Sequence, residues 1–384
     1  MTTTTDMASG EKKSLGLYIH VPFCRRKCLY CDFCSTAEPC AELVNAYVDS
    51  LLRCISMHSE SAARHTVDTV YIGGGTPTTL SAAQLERIID GCVSNYSFAQ
   101  NVEISCECNP ATGSAEYFCE LRSIGINRMS IGLQSTNDNE LKALGRIHDF
   151  EGFLKTYSDV RNAGFDNVSA DLMYGIPLQT LDSFRQSLKT LTALAPEHIS
   201  AYCLKVEEGT PFGKMGDKLI LPDEDTQCEM YELLSSFLSS AGYEKYEISN
   251  FAKKGRESRH NLRYWLGEDY LGFGAAAHSY FDGERFAYSP NIADFANGVF
   301  TLSEREKIDN EERTCEYVML RMRLVRGVVF SEFTKEFGKD FLCEFPTVRD
   351  YAQKGYIELS ENGCRFSEKG FLVSNTILSE MLDF

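Results

Sequence analysis

Apolar, β-rich runs recur along this chain at intervals of one strand–helix unit: LGLYIHV, VDTVYIG, NVEISCE, INRMSIGL, NVSADLMYGI and HISAYCL. Between them, Leu43 to Ile55, Ala82 to Cys92, Ala115 to Ser123, Phe150 to Ala163 and Leu181 to Leu194 carry apolar residues at helical spacing, with Ser81 and Asp182 as N-cap or first-turn residues. Strands that alternate with helices return to the sheet in parallel, through right-handed crossovers. Six units fall short of the eight that close a full barrel. The pattern therefore predicts an α/β fold, an incomplete (β/α)6 barrel over residues 15–300 behind a polar tail of residues 1–14. After Pro211 a helix is expected near Asp225 to Ala241, and YEKYEIS, RHNLRYW and LGFGAAAHSYF are expected to extend or cap the sheet. Residues 301–384 read as a small, mostly helical, winged-helix-like domain, with a terminal β-ribbon turning at Asn362-Gly363 in GYIELSENGCRFSEKG.

With 384 residues, 43% of them hydrophobic, the chain can build a sizeable core. Lys and Arg number 38 against 55 Asp and Glu, and the net charge of −17 argues against nucleic acid as a partner. The opening MTTTTDMASGEKK has neither a basic start nor an apolar signal core, and no apolar run reaches membrane-spanning length. The expected location is the cytoplasm, where cysteines stay reduced.

Of fifteen cysteines, Cys24, Cys28, Cys31, Cys34 and Cys40 crowd one short stretch, and the first three are spaced C-x3-C-x2-C directly after the first strand. Three thiolates on one loop can hold three irons of a [4Fe-4S] cluster and leave the fourth iron open for chemistry. Zinc is the competing reading, with Cys34 or the Cys106, Cys108 pair completing a four-ligand set. Cys54, Cys92, Cys119, Cys203, Cys228, Cys315, Cys343 and Cys364 are scattered and read as ordinary packing or surface residues. In its spacing and flanks, YIHVPFCRRKCLYC resembles the radical S-adenosylmethionine (SAM) superfamily. That resemblance implies SAM chelated to the open iron.

Parallel barrels build their sites where strands end and loops to the helices begin. Gly73, Gly74, Gly75 and Thr76 follow the second inferred strand, Glu107 and Asn109 the third and Gln134 the fourth, while Asp171 closes the fifth. Strand alternation turns Tyr18 and His20 to one face, expected to be the barrel interior. GGGTP exposes peptide groups that can hold the amino-acid end of SAM, although a tight strand-to-helix turn explains such glycines equally well. Glu107, Gln134, Arg146 and Asp171 taken singly are ordinary caps or ion pairs. Together they supply carboxylates for ribose hydroxyls, an amide for polar edges and a guanidinium for a carboxylate.

A narrower resemblance covers nearly the whole chain. YIHVPFCRRKCLYCDF, YIGGGTPTTL, ECNPAT, RMSIGLQS, LGRIH, DLMYGIP, YEISNFA and RHNLRYW are similar, in order, to the oxygen-independent coproporphyrinogen III oxidases and their relatives, most closely to the heme-chaperone branch. The resemblance implies Cys24, Cys28 and Cys31 as cluster ligands, with SAM contacted by Tyr18, Gly74, Gly75, Thr76, Glu107, Gln134, Arg146 and Asp171. Two departures separate the chain from the decarboxylating oxidase: Phe33 stands where the oxidase has a fourth cysteine, and only a short tail replaces its longer N-terminal arm. The chaperone branch carries H-N-x-x-Y-W, matched by His260, Asn261, Tyr264 and Trp265, an implied heme site. An imidazole and two aromatic rings suit a metalloporphyrin, and they equally suit a closed core. The expectation is a heme chaperone holding a [4Fe-4S] cluster, exchangeable SAM and heme, served by an electron donor and passing heme to an acceptor protein. Radical decarboxylation of coproporphyrinogen III and a non-radical metal-binding scaffold are the alternatives. The axial ligand, contact with a membrane and assembly into a homodimer are left open.

Overall fold

The computed structural model describes residues 12–110 and 112–382. Most of the expected polar tail, residues 1–11, lies outside them, and Lys13 and Ser14 already belong to the first strand. Six strands, β1 (Lys13–Val21), β2 (His65–Gly74), β3 (Phe98–Cys108), β4 (Arg128–Gln134), β5 (Val168–Tyr174) and β6 (His198–Cys203), lie side by side in chain order and pair in parallel. The helices between them are α1 (Ala41–Met57), α2 (Ala82–Asn95), α3 (Ala115–Ser123), α4 (Phe150–Asn162) and α5 (Leu181–Ala193). They agree closely with the apolar periodicity.

Alternation decides which residues meet the helices. In β1, Leu15, Leu17, Ile19 and Val21 are fully buried toward the helical layer, each such side chain contributing about 1.5–3 kcal/mol. Tyr18 and His20 take the other face, where polar groups collect. Ser81 caps α2 in a reciprocal box with Gln84. The cap of α5 is Thr180 rather than Asp182, which sits in the first turn beside the helix's positive end.

The sheet continues past both edges of the six-strand unit. After α6 (Glu224–Ser240), β7 (Glu244–Lys245) and β8 (Asn250–Ala252) add antiparallel beyond β6. The segment RHNLRYW does not add a strand: it forms a short helix, α7 (Arg259–Trp265), whose first N–H groups are capped by Ser258. At the opposite edge β9 (Tyr270–Phe273) pairs in parallel with β1, a seventh parallel strand. β10 (His278–Phe281), β11 (Glu284–Tyr288) and β12 (Leu302–Lys307) then follow antiparallel, giving twelve strands in all.

Since β12 lies past residue 300 yet belongs to the large sheet, we place the division between the two parts after Lys307. Beyond it, helices including α8 (Asn310–Arg321) and α9 (Phe330–Phe337) pack with a three-stranded antiparallel sheet. Its hairpin joins Ile357–Leu359 to Gly363–Phe366 through the expected Asn362-Gly363 turn.

Candidate functional site

The cysteine loop leaves the end of β1 and is closed at its base, where Phe23 and Cys24 pair with Thr36 and Ala37. Its middle is docked on the turn after β4: the Leu29 N–H donates to the Leu144 carbonyl (3.1 Å), and Leu29 itself presses on Gly145. A Cβ at Gly145 would come within 2.8 Å of Leu29, and its φ is +76°, so glycine is required there. This docking brings Arg146 to the loop, with Nη1 3.5 Å from Cys28 Sγ. Thr76 donates to Cys24 Sγ at 3.6 Å.

Burial pushes the Cys24 and Cys31 thiols up, so metal binding must displace protons that these sulfurs hold at neutral pH. Among the described residues, His65, Asp269 and Asp282 bring three ligand atoms within 4.8 Å of one another, and the three cysteines do not. Thiolates on one tetrahedral zinc, with Zn–S near 2.3 Å, stand only about 4 Å apart. Cys24, Cys28 and Cys31 instead all face one cavity. Cys34 turns away and donates to the Pro290 carbonyl (3.3 Å). Cys106 is fully buried on the face opposite Glu107, so strand alternation withholds it from the loop.

Facing the thiols is a cavity of about 330 Å³ that runs into the barrel. It brings together Cys24, Cys28, Cys31, Gly74, Gly75, Thr76, Glu107, Gln134, Arg146 and Asp171. Tyr18 is absent from its lining. Its hydroxyl instead bonds His20 Nδ1 (2.9 Å), and His20 Nε2 reaches the Cys34 carbonyl (2.9 Å), so Tyr18 braces the loop from behind. Asp171 sits in the middle of β5 rather than at its end, because the strand runs three residues further.

Glu107 organises the upper cavity. Its carboxylate accepts from the Tyr71 hydroxyl (2.9 Å) and the Gly74 N–H (3.1 Å). Gly74 has φ +111°, and a Cβ there would strike the His20 ring at 2.6 Å. The glycine run is thus needed for packing and for presenting that N–H. Burial and the neighbouring Asp171 push Glu107 up to about 7, and burial pushes Asp171 up to about 6 against the pull of Ser130 and Arg128. Gln134, at φ +72°, is held in the left-handed region while accepting from the Tyr202 hydroxyl (3.0 Å), a strained backbone of the kind found at ligand sites.

The donors match an anionic and hydroxyl-bearing cofactor. Arg146 bonds Asn109 and the Gly132 carbonyl, yet its Nε is buried without a partner, as are Nε and Nη1 of Arg128. Buried guanidinium donors left open inside a cavity need acceptors from something bound there. Arg128, Tyr71, Ser130, Ser200 and Tyr202 also line the cavity and were missed by reading strand ends alone. The signal was present: Arg128, Ser130, Gly132 and Gln134 stand at every second position of β4.

The H-N-x-x-Y-W residues are divided by the fold. Helix α7 packs across the strand beginnings, where Glu103 accepts from the Arg259 and His260 N–H groups (3.1 and 3.4 Å). Asn261 lines the barrel cavity. Tyr264 and Trp265, at the helix's other end, line a separate pocket. His260 is fully buried between them: Nδ1 bonds the Thr69 hydroxyl (2.9 Å) and Nε2 the Tyr264 hydroxyl (2.9 Å). Burial, with Arg263 and Arg128 nearby, pushes it down to about 3. Both ring nitrogens are engaged, so an imidazole reaching iron, the basis on which this histidine was expected at a heme, is not available in this arrangement.

The Radical SAM superfamily profile matches residues 18–191, and that of the HemN C-terminal domain matches residues 308–373. The heme chaperone HemW of Bacillus subtilis (strain 168) is 36% identical over 376 residues, which cover 95% of this chain and 98% of that protein. The chain belongs to the heme chaperone HemW family. The HemW of Escherichia coli (strain K12) is 34% identical, over 96% of this chain and 98% of the relative. Among solved structures, the radical SAM coproporphyrinogen III oxidase of Escherichia coli superposes with a TM-score of 0.83 at 24% identity, covering 97% of this chain and 90% of the oxidase. That likeness shows that the HemW-family chain shares the oxidase's overall fold. The superfamily's cofactors are a [4Fe-4S] cluster and SAM, and the thiol loop and open cavity fit both. No helix among the described residues is long and apolar enough to cross a membrane.

Proposed function

We propose that this protein is a heme chaperone, which binds heme and passes it to an acceptor protein while holding a [4Fe-4S] cluster and SAM in its barrel. The observation that carries the reading is end-to-end similarity to proteins named heme chaperones. It is supported by Phe33, 67% exposed at the cavity rim, where the oxidase pattern places a cysteine.

Cys24, Cys28 and Cys31 would hold the cluster, which when bound supplies an electron for the SAM sulfonium. The chain's own groups then divide the work of binding. Arg146, fixed by Asn109 and the Gly132 carbonyl, keeps a positive charge beside Cys28 and offers Nε to a carboxylate. Glu107 and Asp171 offer acceptors for ribose hydroxyls, Gln134 an amide, and the turn at Gly74, Gly75 and Thr76 peptide groups for the amino-acid end. The partners are an electron donor for the cluster and a heme-accepting protein.

The test is a heme absorbance titration of the anaerobically reconstituted protein, alongside a product assay with coproporphyrinogen III, SAM and a reductant. Saturable binding of heme without decarboxylation is expected. No saturable binding, or robust decarboxylation, contradicts the proposal.

A further inference from the structure

The C-terminal end of α7 opens into a second cavity, of about 350 Å³, at the seam between the sheet extension and the C-terminal domain. Tyr264 and Trp265 of α7, Tyr270 of β9 and Tyr280 of β10 form one side, and Tyr317 and Arg321 of α8 close the other. Tyr264 and Tyr270 meet edge to face with centroids 4.7 Å apart. Few small ligands need so many rings; a flat, extended π-system does.

The charges are unequal in a telling way. Arg285 is held by Glu316 (2.7 Å) and Glu306 (3.2 Å), and Arg313 is paired with Glu336. Arg321 has no carboxylate partner among the described residues. Its guanidinium lies over the Tyr317 ring (4.9 Å from the centroid) and donates to the Leu266 carbonyl (3.4 Å), while Nε is buried without an acceptor. In a chain of net charge −17, this pocket carries three arginines against two glutamates. A guanidinium with an open donor, stacked in an aromatic wall, is suited to a carboxylate carried at the edge of a flat aromatic ring system.

Resting on the chaperone reading above, we infer that this seam receives the propionate edge of heme, with Arg321 as the carboxylate anchor and Trp265 among the rings that pack on the macrocycle. The site is thus shared between the barrel's extension and the C-terminal domain, and is separate from the cavity that faces the cysteine loop. Each heme propionate is a carboxylate, so the dimethyl ester of heme removes the anchored group and keeps the ring.

The experiment measures affinities of the full-length, cluster-replete protein for hemin and for hemin dimethyl ester, in wild type, Arg321→Gln and Trp265→Leu, with thermal melting to confirm folding. Wild type should bind hemin about tenfold or more tighter than the ester, the scale of one charge-assisted hydrogen bond. Arg321→Gln should erase that gap by weakening hemin alone, and Trp265→Leu should weaken both ligands. A gap unchanged in Arg321→Gln overturns the assignment while leaving the chaperone reading intact; absence of saturable hemin binding by wild type defeats the chaperone reading itself. Should Arg321→Gln fail to fold, equal wild-type affinity for hemin and ester overturns the anchor, and a preserved gap that vanishes when Arg321→Lys replaces the forked donor supports it.

Discussion

His260 illustrates how one residue's surroundings decide its chemistry. Its motif invites a ligand reading, yet the imidazole joins the Thr69 and Tyr264 hydroxyls and stacks on Tyr71 (5.4 Å between centroids). His260→Ala should lower stability by about 1–3 kcal/mol, because two buried hydroxyls lose their partner, while the stoichiometry of bound heme stays unchanged. Chemical denaturation and heme titration of the variant check both halves. The thiol loop gives the complementary case. Cys24→Ser, Cys28→Ser and Cys31→Ser should each abolish a stable cluster, seen as lost iron and sulfide, whereas Cys34→Ser should retain it, since that thiol is committed to Pro290. Equal iron loss in Cys34→Ser would contradict the three-ligand assignment. That Cys24, Cys28, Cys31, Glu107 and Gln134 share one cavity could be anticipated from the sequence because they sit where strands end. Arg128 and Tyr202 are not reached by that rule: they come into view only when the inward parity is followed along the whole strand, as from Gln134 back to Arg128.

Among the elements, α7 was the least predictable and positions the most. Seven residues are too few for a helical period to show, and the segment was expected only to extend or cap the sheet. The long-range contacts that hold it are invisible in sequence: fully buried Arg263 pairs with Asp68 of β2 and with Glu268 (3.2 Å), and lies against Gly16 of β1. Removing that guanidinium leaves Asp68 with the more exposed Arg259 (3.7 Å) as its remaining ion-pair partner and the Asp269 carbonyl without its donor, so Arg263→Met is predicted to cost about 1–3 kcal/mol in denaturant-measured stability. A loss below about 0.5 kcal/mol would show that α7 is held by its apolar contacts alone. The barrel strands, by contrast, were readable because each has an unbroken apolar face against its helices. The parallel pairing of β9 with β1 was not, since it joins residues some 250 positions apart.

For the molecule as a whole, the two parts are joined where residues 246–248 bond to residues 323–325, and Glu247 lies buried in that junction. Burial pushes its carboxyl from the ordinary 4.5 up to about 7, against the pull of the Ser249 N–H, Lys245 and Arg323. The folded protein keeps this proton to higher pH than the unfolded chain does, so the associated stability is present below about 4.5 and is lost as pH rises through about 7. Unfolding of the cofactor-free protein should therefore become easier over that window, by on the order of a few kcal/mol, and Glu247→Gln should flatten the dependence. A variant as steep as wild type would assign the pH response elsewhere, with Glu107 and Asp171 as the next candidates. One chain is thus expected to carry a cluster-and-SAM cavity and a distinct heme pocket at the two ends of α7. The most direct test is a titration of heme into the cluster-replete protein with and without saturating SAM. Heme affinity within about twofold in both, with SAM retained at full heme occupancy, is the predicted result; displacement of one ligand by the other, showing a single shared cavity, would contradict it.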